Sequence, residues 1–287
     1  EIMIWPPYFL AASVFITAVD ISTPASPTVI KSVEFDGSLV SSRLIGNRLH
    51  LVMTFVPNVQ PLVGPLGGFL GGAGDVLPAI RTASSDTPLV NWSDVYRPDD
   101  PMGYNMTTVV TLDTANIETI VGKVGVMANC GTIYASDQAI YLTSPEWYEM
   151  GDGSVRTVIH KFAFDANGAA QYVATGNVPG ELLNQFSLGE YNGNLRVATY
   201  LPPNWGGFFP AAGVDSAVAT AQSTTNTTGE NAVFVLGGTG DTLETIGSIE
   251  GIAPGERLYA ARFLGNRGYL VTFRRIDPLF VLDLSDA

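Results

Sequence analysis

A chain of 287 residues with 46% hydrophobic residues, 31 Gly and 18 Pro is too apolar for disorder and rich in residues that turn short strands. Its 27 acids against 14 bases give a net charge of −13 with no basic stripe to track phosphates, which excludes nucleic-acid binding and disfavours anionic membrane surfaces. A single cysteine, Cys130, excludes an internal disulfide and any multi-cysteine metal centre, and it reads as a small buried residue.

Ile2 to Val19 carries no charge, but Pro6-Pro7 interrupt it and no basic flank precedes it, so no transmembrane segment is expected there. Its end, Phe15 to Asp20, is the first of two recurring words. The first word is an apolar run closed by an acid or Gly: ITAVD at Asp20, VVTLD at Asp113, FAFD at Asp165, VFVLG at Gly237 and FVLD at Asp283. The second is a turn followed by an alternating strand: GNRLHLV, DQAIYLT, NGNLRVA and GNRGYLV, matching at Leu49, Ile140, Leu195 and Gly268.

The first word leads the second by 29, 27, 30 and 31 residues, whereas the second leads the next first word by 64, 25, 42 and 15. Constant spacing marks packed geometry, and elastic spacing marks surface loops that accept insertions. Within the constant half lie one further strand (TVIKSVEF, ETIVGKV, AAQYVATG, ETIGSIEG), a Gly- or Pro-bearing turn and another strand (VSSRLIG, GTIYAS, LLNQFSL, YAARFLG). Four short strands of period two, repeated, predict an all-β fold of the β-propeller kind, with about three complete four-stranded units and two incomplete ones. The reading takes residues 1–287 as one propeller domain and expects it to be a piece of a larger ring. The insertions are expected at about 56–107, 144–156 and 202–231.

The segments SRLIGNRLHLV, VATGNVPGELLNQFSLGEYNGNLRVAT and GIAPGERLYAARFLGNRGYLVTFRRIDPLFVLDLSD make the chain resemble secreted bacterial and archaeal proteins with a C-terminal β-propeller domain. AVDISTPASPTVIKSVEF also resembles the broader bacterial repeat built on a Leu-Val-Ile-Val-Asp core. The resemblance covers about Val14 to Asp286 outside the insertions. It implies export to the cell surface, the extracellular space or the periplasm, and a propeller fold. It supplies no catalytic residues.

With the strands of each unit ordered from the axis outward, VSSRLIG, GTIYAS, LLNQFSL and YAARFLG are innermost. In an up-and-down unit the insertions and the Gly/Pro turns then emerge on one face, which is the candidate functional surface. Arg43 and Arg262 share a repeat position, with Asn184-Gln185 near it in another unit. One reading is a cationic channel mouth formed by Arg43, Gln185 and Arg262 that holds an anionic or carbonyl group. The other pairs the arginines with turn acids such as Glu181 and Glu256. The insertions carry Trp92, Trp147 and Trp205, residues typical of sugar or protein contacts that also serve to pack long insertions.

His50 falls in the slot of Tyr141, Arg196 and Tyr269 and reads as a packing residue. His160 has no acid or hydroxyl partner at a telling spacing. Two histidines and one cysteine do not make a metal site, and acidic turns such as Asp36-Gly37, Asp99-Asp100 and Gly151-Asp152-Gly153 lack the spacing of a calcium cage. The strand-end acids Asp20, Asp113, Asp165 and Asp283 read as turn formers. No cofactor is expected. These observations favour a non-catalytic surface module for a protein, peptide or glycan; the alternative is a hydrolase or lyase at the channel mouth, with or without a divalent cation.

Overall fold

The computed structural model describes residues 12–57, 76–98, 105–146, 155–203, 228–238, 240–273 and 278–286. Among them the regular elements are β-strands and short 3-10 turns, as the alternating words predict. The chain divides into two compact units, residues 1–129 with 163–172 and residues 130–162 with 173–287.

The first unit holds two sheets. β1 (Ser13–Asp20) and β2 (Thr28–Asp36) are antiparallel, with Val14 opposite Phe35 and Ile16 opposite Val33. Period two turns Val14, Val33 and Phe35 inward and leaves Phe15 and Ser32 outside. β3 (Ser38–Ile45) and β4 (Arg48–Phe55) begin the second sheet. The long insertion follows, contributing β5 (Ala79–Arg81), β6 (Asp86–Pro88) and β7 (Val95–Tyr96). β8 (Met106–Asp113) and β9 (Asn116–Met127) complete the second sheet in the order β3-β4-β8-β9.

The insertion is more than loop. β5 pairs with β2 and β6 with β5, while β7 lies parallel to β9. The added strands cover the outer edges of β2 and β9, which would otherwise offer unpaired backbone groups to another chain. Arg81 fastens the hairpin, its Nη1 donating to Asp36 Oδ1 at 2.5 Å. Leu51, Met53, Val110 and Leu112 of the second sheet pack on Val14, Val33 and Phe35 of the first.

In the second unit, β10 (Thr132–Ala135), β11 (Ala139–Glu146), β12 (Arg156–Phe164) and β13 (Ala170–Pro179) form the third sheet, the tip of the β12–β13 hairpin counting with the first unit. The fourth sheet contains β14 (Glu181–Leu182), β15 (Leu188–Tyr191), β16 (Asn194–Leu201), β17 (Glu230–Gly237) and β18 (Glu244–Ile252). β19 (Arg257–Leu264), β20 (Arg267–Phe273) and β21 (Leu279–Asp283) form the fifth. Tyr141 and Ile159 of the third sheet are buried with Leu195, Val197 and Phe234 of the fourth. Ala198, Val233 and Ile252 of the fourth are buried under Leu258, Ala261 and Leu270 of the fifth. Within each unit, therefore, one face of a sheet is covered by the sheet that follows it in sequence.

One element differs from expectation. LLNQFSL is not a continuous strand: β14 and β15 both pair with β16 and are separated by a 3-10 turn, Gln185–Ser187. Asn184 causes the break, because its side chain accepts a hydrogen bond from the Phe186 N–H at 2.9 Å and so competes with the strand ladder. The register then sets Gly189 opposite Arg196, as Arg43 faces His50, Tyr134 faces Tyr141 and Arg262 faces Tyr269. Gly189, not Gln185, is the repeat equivalent of the two arginines.

The strand-end acids do form turns. Asp20, Asp113, Asp165 and Asp283 each accept from the backbone N–H two residues on. Hydrogen bonds within these turns, led by the Ala169 N–H at Asp165 and the Ser285 hydroxyl at Asp283, hold all four carboxyls below the usual carboxylate range.

Candidate binding site at the turn-bearing ends of the sheets

The geometry of the site starts with three glycines. Gly37, Gly180 and Gly255 sit in the turns that follow β2, β13 and β18, the last strand of each repeat, with φ of 114°, 92° and 80°. Each N–H donates to the carbonyl just before a third-position strand: Gly37 to Ala12, Gly180 to Val155 and Gly255 to Gly229, each at 2.7 Å. A Cβ on Gly37 or Gly180 would stand 2.7 or 2.6 Å from the carbonyl oxygen of Thr54 or Tyr200 near the end of the second strand. Left-handed backbone and close approach together require glycine there. For Gly180 and Gly255 the bond also binds the turn to the point where an insertion rejoins its sheet.

A second tie runs from inside the sheets. Thr107 and Thr157, second residues of β8 and β12, donate through Oγ1 at 2.7 Å to the carbonyls of Ala128 and Gly180. Asn231, second in β17, donates through Nδ2 to Ile252 O at 3.0 Å and Glu256 O at 3.1 Å. All three side chains are buried. The available signal was a polar residue at the head of an otherwise apolar run.

Of the residues expected at a channel mouth, Arg43 lies in the first unit and Gln185, Arg262, Glu181 and Glu256 in the second. The Arg43 Nη1 donates to Ser41 Oγ at 2.5 Å and to Ser42 O at 2.8 Å. The Arg262 guanidinium lies 3.7 Å from the centroid of the half-exposed Phe186 ring, and its Nη1 donates to Ala261 O at 2.7 Å. Gln185 opens the same 3-10 turn, which packs against β19 and β10. Thus the structure brings Gln185's turn and Arg262 together. Glu181 pairs with Arg257 at 3.3 Å, and the Arg257 guanidinium covers the Tyr200 ring. Glu256 accepts from Thr272 Oγ1 at 2.5 Å. A guanidinium held over a ring is preorganised to offer its outward N–H groups to a carboxylate or carbonyl.

Trp92 is 54% exposed in a 3-10 turn closed by Asp94, whose carboxylate accepts from the Asn91 N–H at 2.9 Å. Tyr96 stacks on Tyr172 with centroids 4.3 Å apart. Trp147 and Trp205 lie outside the described residues.

His50 is buried, with Nδ1 3.1 Å from Thr111 Oγ1 and its ring stacked on Phe164. His160 is buried as well and does have a hydroxyl neighbour, Thr175 Oγ1 at 2.7 Å, supplied across the hairpin and therefore invisible to local spacing. Burial lowers both imidazoles to a pKa of about 4, so both are neutral at pH 7. Cys130 is buried beside Ser144, whose Oγ lies 3.5 Å from Sγ. Arg196, in the same repeat slot as His50, is held between the Tyr191 and Phe263 rings at 5.1 Å from each.

No local spacing in the sequence points to Glu190. Its carboxylate, 6% exposed, takes hydrogen bonds from Tyr141 Oη at 2.9 Å and from Ser136 Oγ, with Lys161 Nζ 3.9 Å away. Among the described residues no group of three or more His, Cys, Asp or Glu is placed to hold a metal ion, and no helix is long and apolar enough to cross a membrane.

Successive antiparallel meanders of this kind define a β-propeller. The chain belongs to the β-propeller domain family, whose model matches residues 5–287. It is 28% identical to an uncharacterized protein of Archaeoglobus fulgidus over 330 aligned positions, covering 89% of this chain and 46% of that protein. It is 36% identical to an uncharacterized protein of Methanocaldococcus jannaschii over 114 positions, covering 40% of this chain and 15% of the relative. The chain thus spans about half of the first relative and a smaller part of the second.

Proposed function

We propose that this chain is a non-catalytic binding module, exported to the cell surface or beyond, that takes a protein, peptide or glycan on the turn- and insertion-bearing ends of its sheets. A propeller domain fits a binding role. The observation that carries the reading is the repeated glycine bond: Gly37, Gly180 and Gly255 each tie a turn to the foot of an incoming segment at 2.7 Å. Segments of variable length are thereby anchored to a stiff frame at the same end of each sheet, which is how scaffolds present recognition surfaces. Within the second unit Arg262 stacked on Phe186, toward the Gly265-Asn266 hairpin, offers a charge-assisted donor, and within the first unit the exposed Trp92 of the insertion offers an apolar face, each of a kind that recognition uses.

The test is capture on peptide and glycan arrays by the wild type, Arg262→Gln, Trp92→Ala and Trp205→Ala. A ligand that is retained by the wild type and loses at least tenfold in affinity with any of these changes supports the site; a tenfold loss is about 1.4 kcal/mol. Capture that none of the three alters removes these residues from the site.

A further inference from the structure

One slot of the repeat carries a charge that meets no opposite. Tyr141 and Arg196 hold the same register position in the third and fourth sheets. Glu190 and Phe263 hold matching positions in the fourth and fifth, opposite Leu195 and Gly268. The Tyr141 hydroxyl reaches across to the Glu190 carboxylate, whereas the Arg196 guanidinium reaches across to the Phe263 ring, 5.1 Å from its centroid. The acid that serves the tyrosine is thus replaced by a benzyl group where the cation stands.

Arg196 is only 5% exposed. Its Nε donates to Gly189 O at 3.2 Å and its Nη1 to Gly265 O. Among the described residues Nη2 has no acceptor, and it is not sealed from solvent. Burial holds the guanidinium below its usual pKa, and the groups that oppose this are Tyr134 and Tyr191 rather than a carboxylate. Carbonyls and ring faces offset part of the cost of burying this charge, but a counter-ion is the ordinary remedy. The approach is open on the side of the β19–β20 turn, where a Cβ added to Gly265 would meet nothing within 4 Å. Arg262 and Arg267 flank that turn, and the acid paired with it in the ladder is Asp283, opposite Arg267.

We propose that Arg196 is an anion site, its Nη2 taking a carboxylate from outside the chain beside the Gly265 turn. The incoming carboxylate does for Arg196 what Glu190 does for Tyr141. A charge-assisted N–H to carboxylate bond of this kind is stronger than a neutral one, and the two bonds to carbonyls hold the guanidinium in place beforehand. The site shares no side chain with the Arg262–Phe186 pair or with Trp92, so it stands or falls apart from the ligand surface proposed above.

The test is the melting temperature of the 287-residue chain against acetate and against a short peptide with a single glutamate, ionic strength being held with potassium fluoride. At about ten times the dissociation constant a bound carboxylate should raise the wild-type midpoint by about 2–4 °C, and the rise should saturate. Arg196→Met keeps the stem without the charge and should show no such rise. Phe263→Glu supplies the missing acid from within and should also abolish it, while Phe263→Gln should keep it. A response to acetate identifies a free carboxylate as sufficient; a response to the peptide alone identifies an acidic side chain. If Phe263→Glu does not fold, isothermal titration of acetate into the wild type and Arg196→Met makes the same comparison. A wild type indifferent to both probes, or an equal rise in Arg196→Met, would overturn the proposal.

Discussion

The hydroxyl of Tyr141 donates to Glu190 Oε1 at 2.9 Å, and this bond joins the third sheet to the fourth through a carboxylate only 6% exposed. Ser136 donates to the other oxygen, and the Glu190 N–H in turn donates to Tyr134 Oη at 3.0 Å. A buried charge held by several donors is stable only while the donors remain. Tyr141→Phe should lower unfolding free energy by about 1.5–3 kcal/mol, the range for a hydrogen bond to a charged group. Glu190→Ala should cost more, about 3–5 kcal/mol, because Lys161 then loses its counter-charge. Urea denaturation of both variants and the double variant checks this; strict additivity would contradict a shared network.

The turn glycines differ in what surrounds them. Gly180 combines φ of 92° with a Tyr200 carbonyl 2.6 Å from any added Cβ, whereas Gly46 has φ of 58° and open space around it. Gly46→Ala should cost about 1 kcal/mol of backbone strain. Gly180→Ala should exceed about 3 kcal/mol, since relief requires the strand to move. Chemical denaturation curves of the two variants should separate clearly.

Thr157 and Asn231 close the turn ends from inside the sheet. Thr157→Val keeps the shape but leaves the Gly180 carbonyl without its hydroxyl donor, with an expected loss of about 1–3 kcal/mol. Asn231→Leu removes two bonds at once and should fall at the upper end of that range. Hydrogen exchange should also quicken at the Gly180 and Gly255 amides respectively. Unchanged exchange would show that the glycine bonds hold these turns unaided.

His50 and His160 predict the acid limb of stability. Both have folded pKa values of about 4, below the ordinary 6.5, so the unfolded chain binds protons more readily between those values. Their contribution is complete above pH 6.5 and is lost as pH falls toward 4. The slope is at most about 1.4 kcal/mol per pH unit for each imidazole. Denaturation midpoints measured across this window should fall with pH, and His50→Asn should flatten the decline. A flat profile in the wild type would show that the imidazoles are not buried neutral.

The strand order within each unit was legible because period-two alternation and turn residues are local: Val14-Phe15-Ile16 and Gly46-Asn47 carry their own instructions. The strand-end acids were legible for the same reason, since an aspartate reaches an N–H two residues away whatever lies beyond. The Asn184 interruption has equally local chemistry, but its effect depended on β16 providing the ladder that β14 and β15 resume.

The sequence by itself determined the sheets, the turn glycines and the places where segments of variable length enter, because these follow from backbone preference and nearest neighbours. Only the tertiary structure decided that Glu190 meets Tyr141, that Thr175 meets His160, that Arg262 lies on Phe186 and that the insertion between β4 and β8 returns as edge strands on β2 and β9. Those contacts join residues that no period connects. They depend on which sheet faces align and how closely side chains fit once apolar surface has been buried.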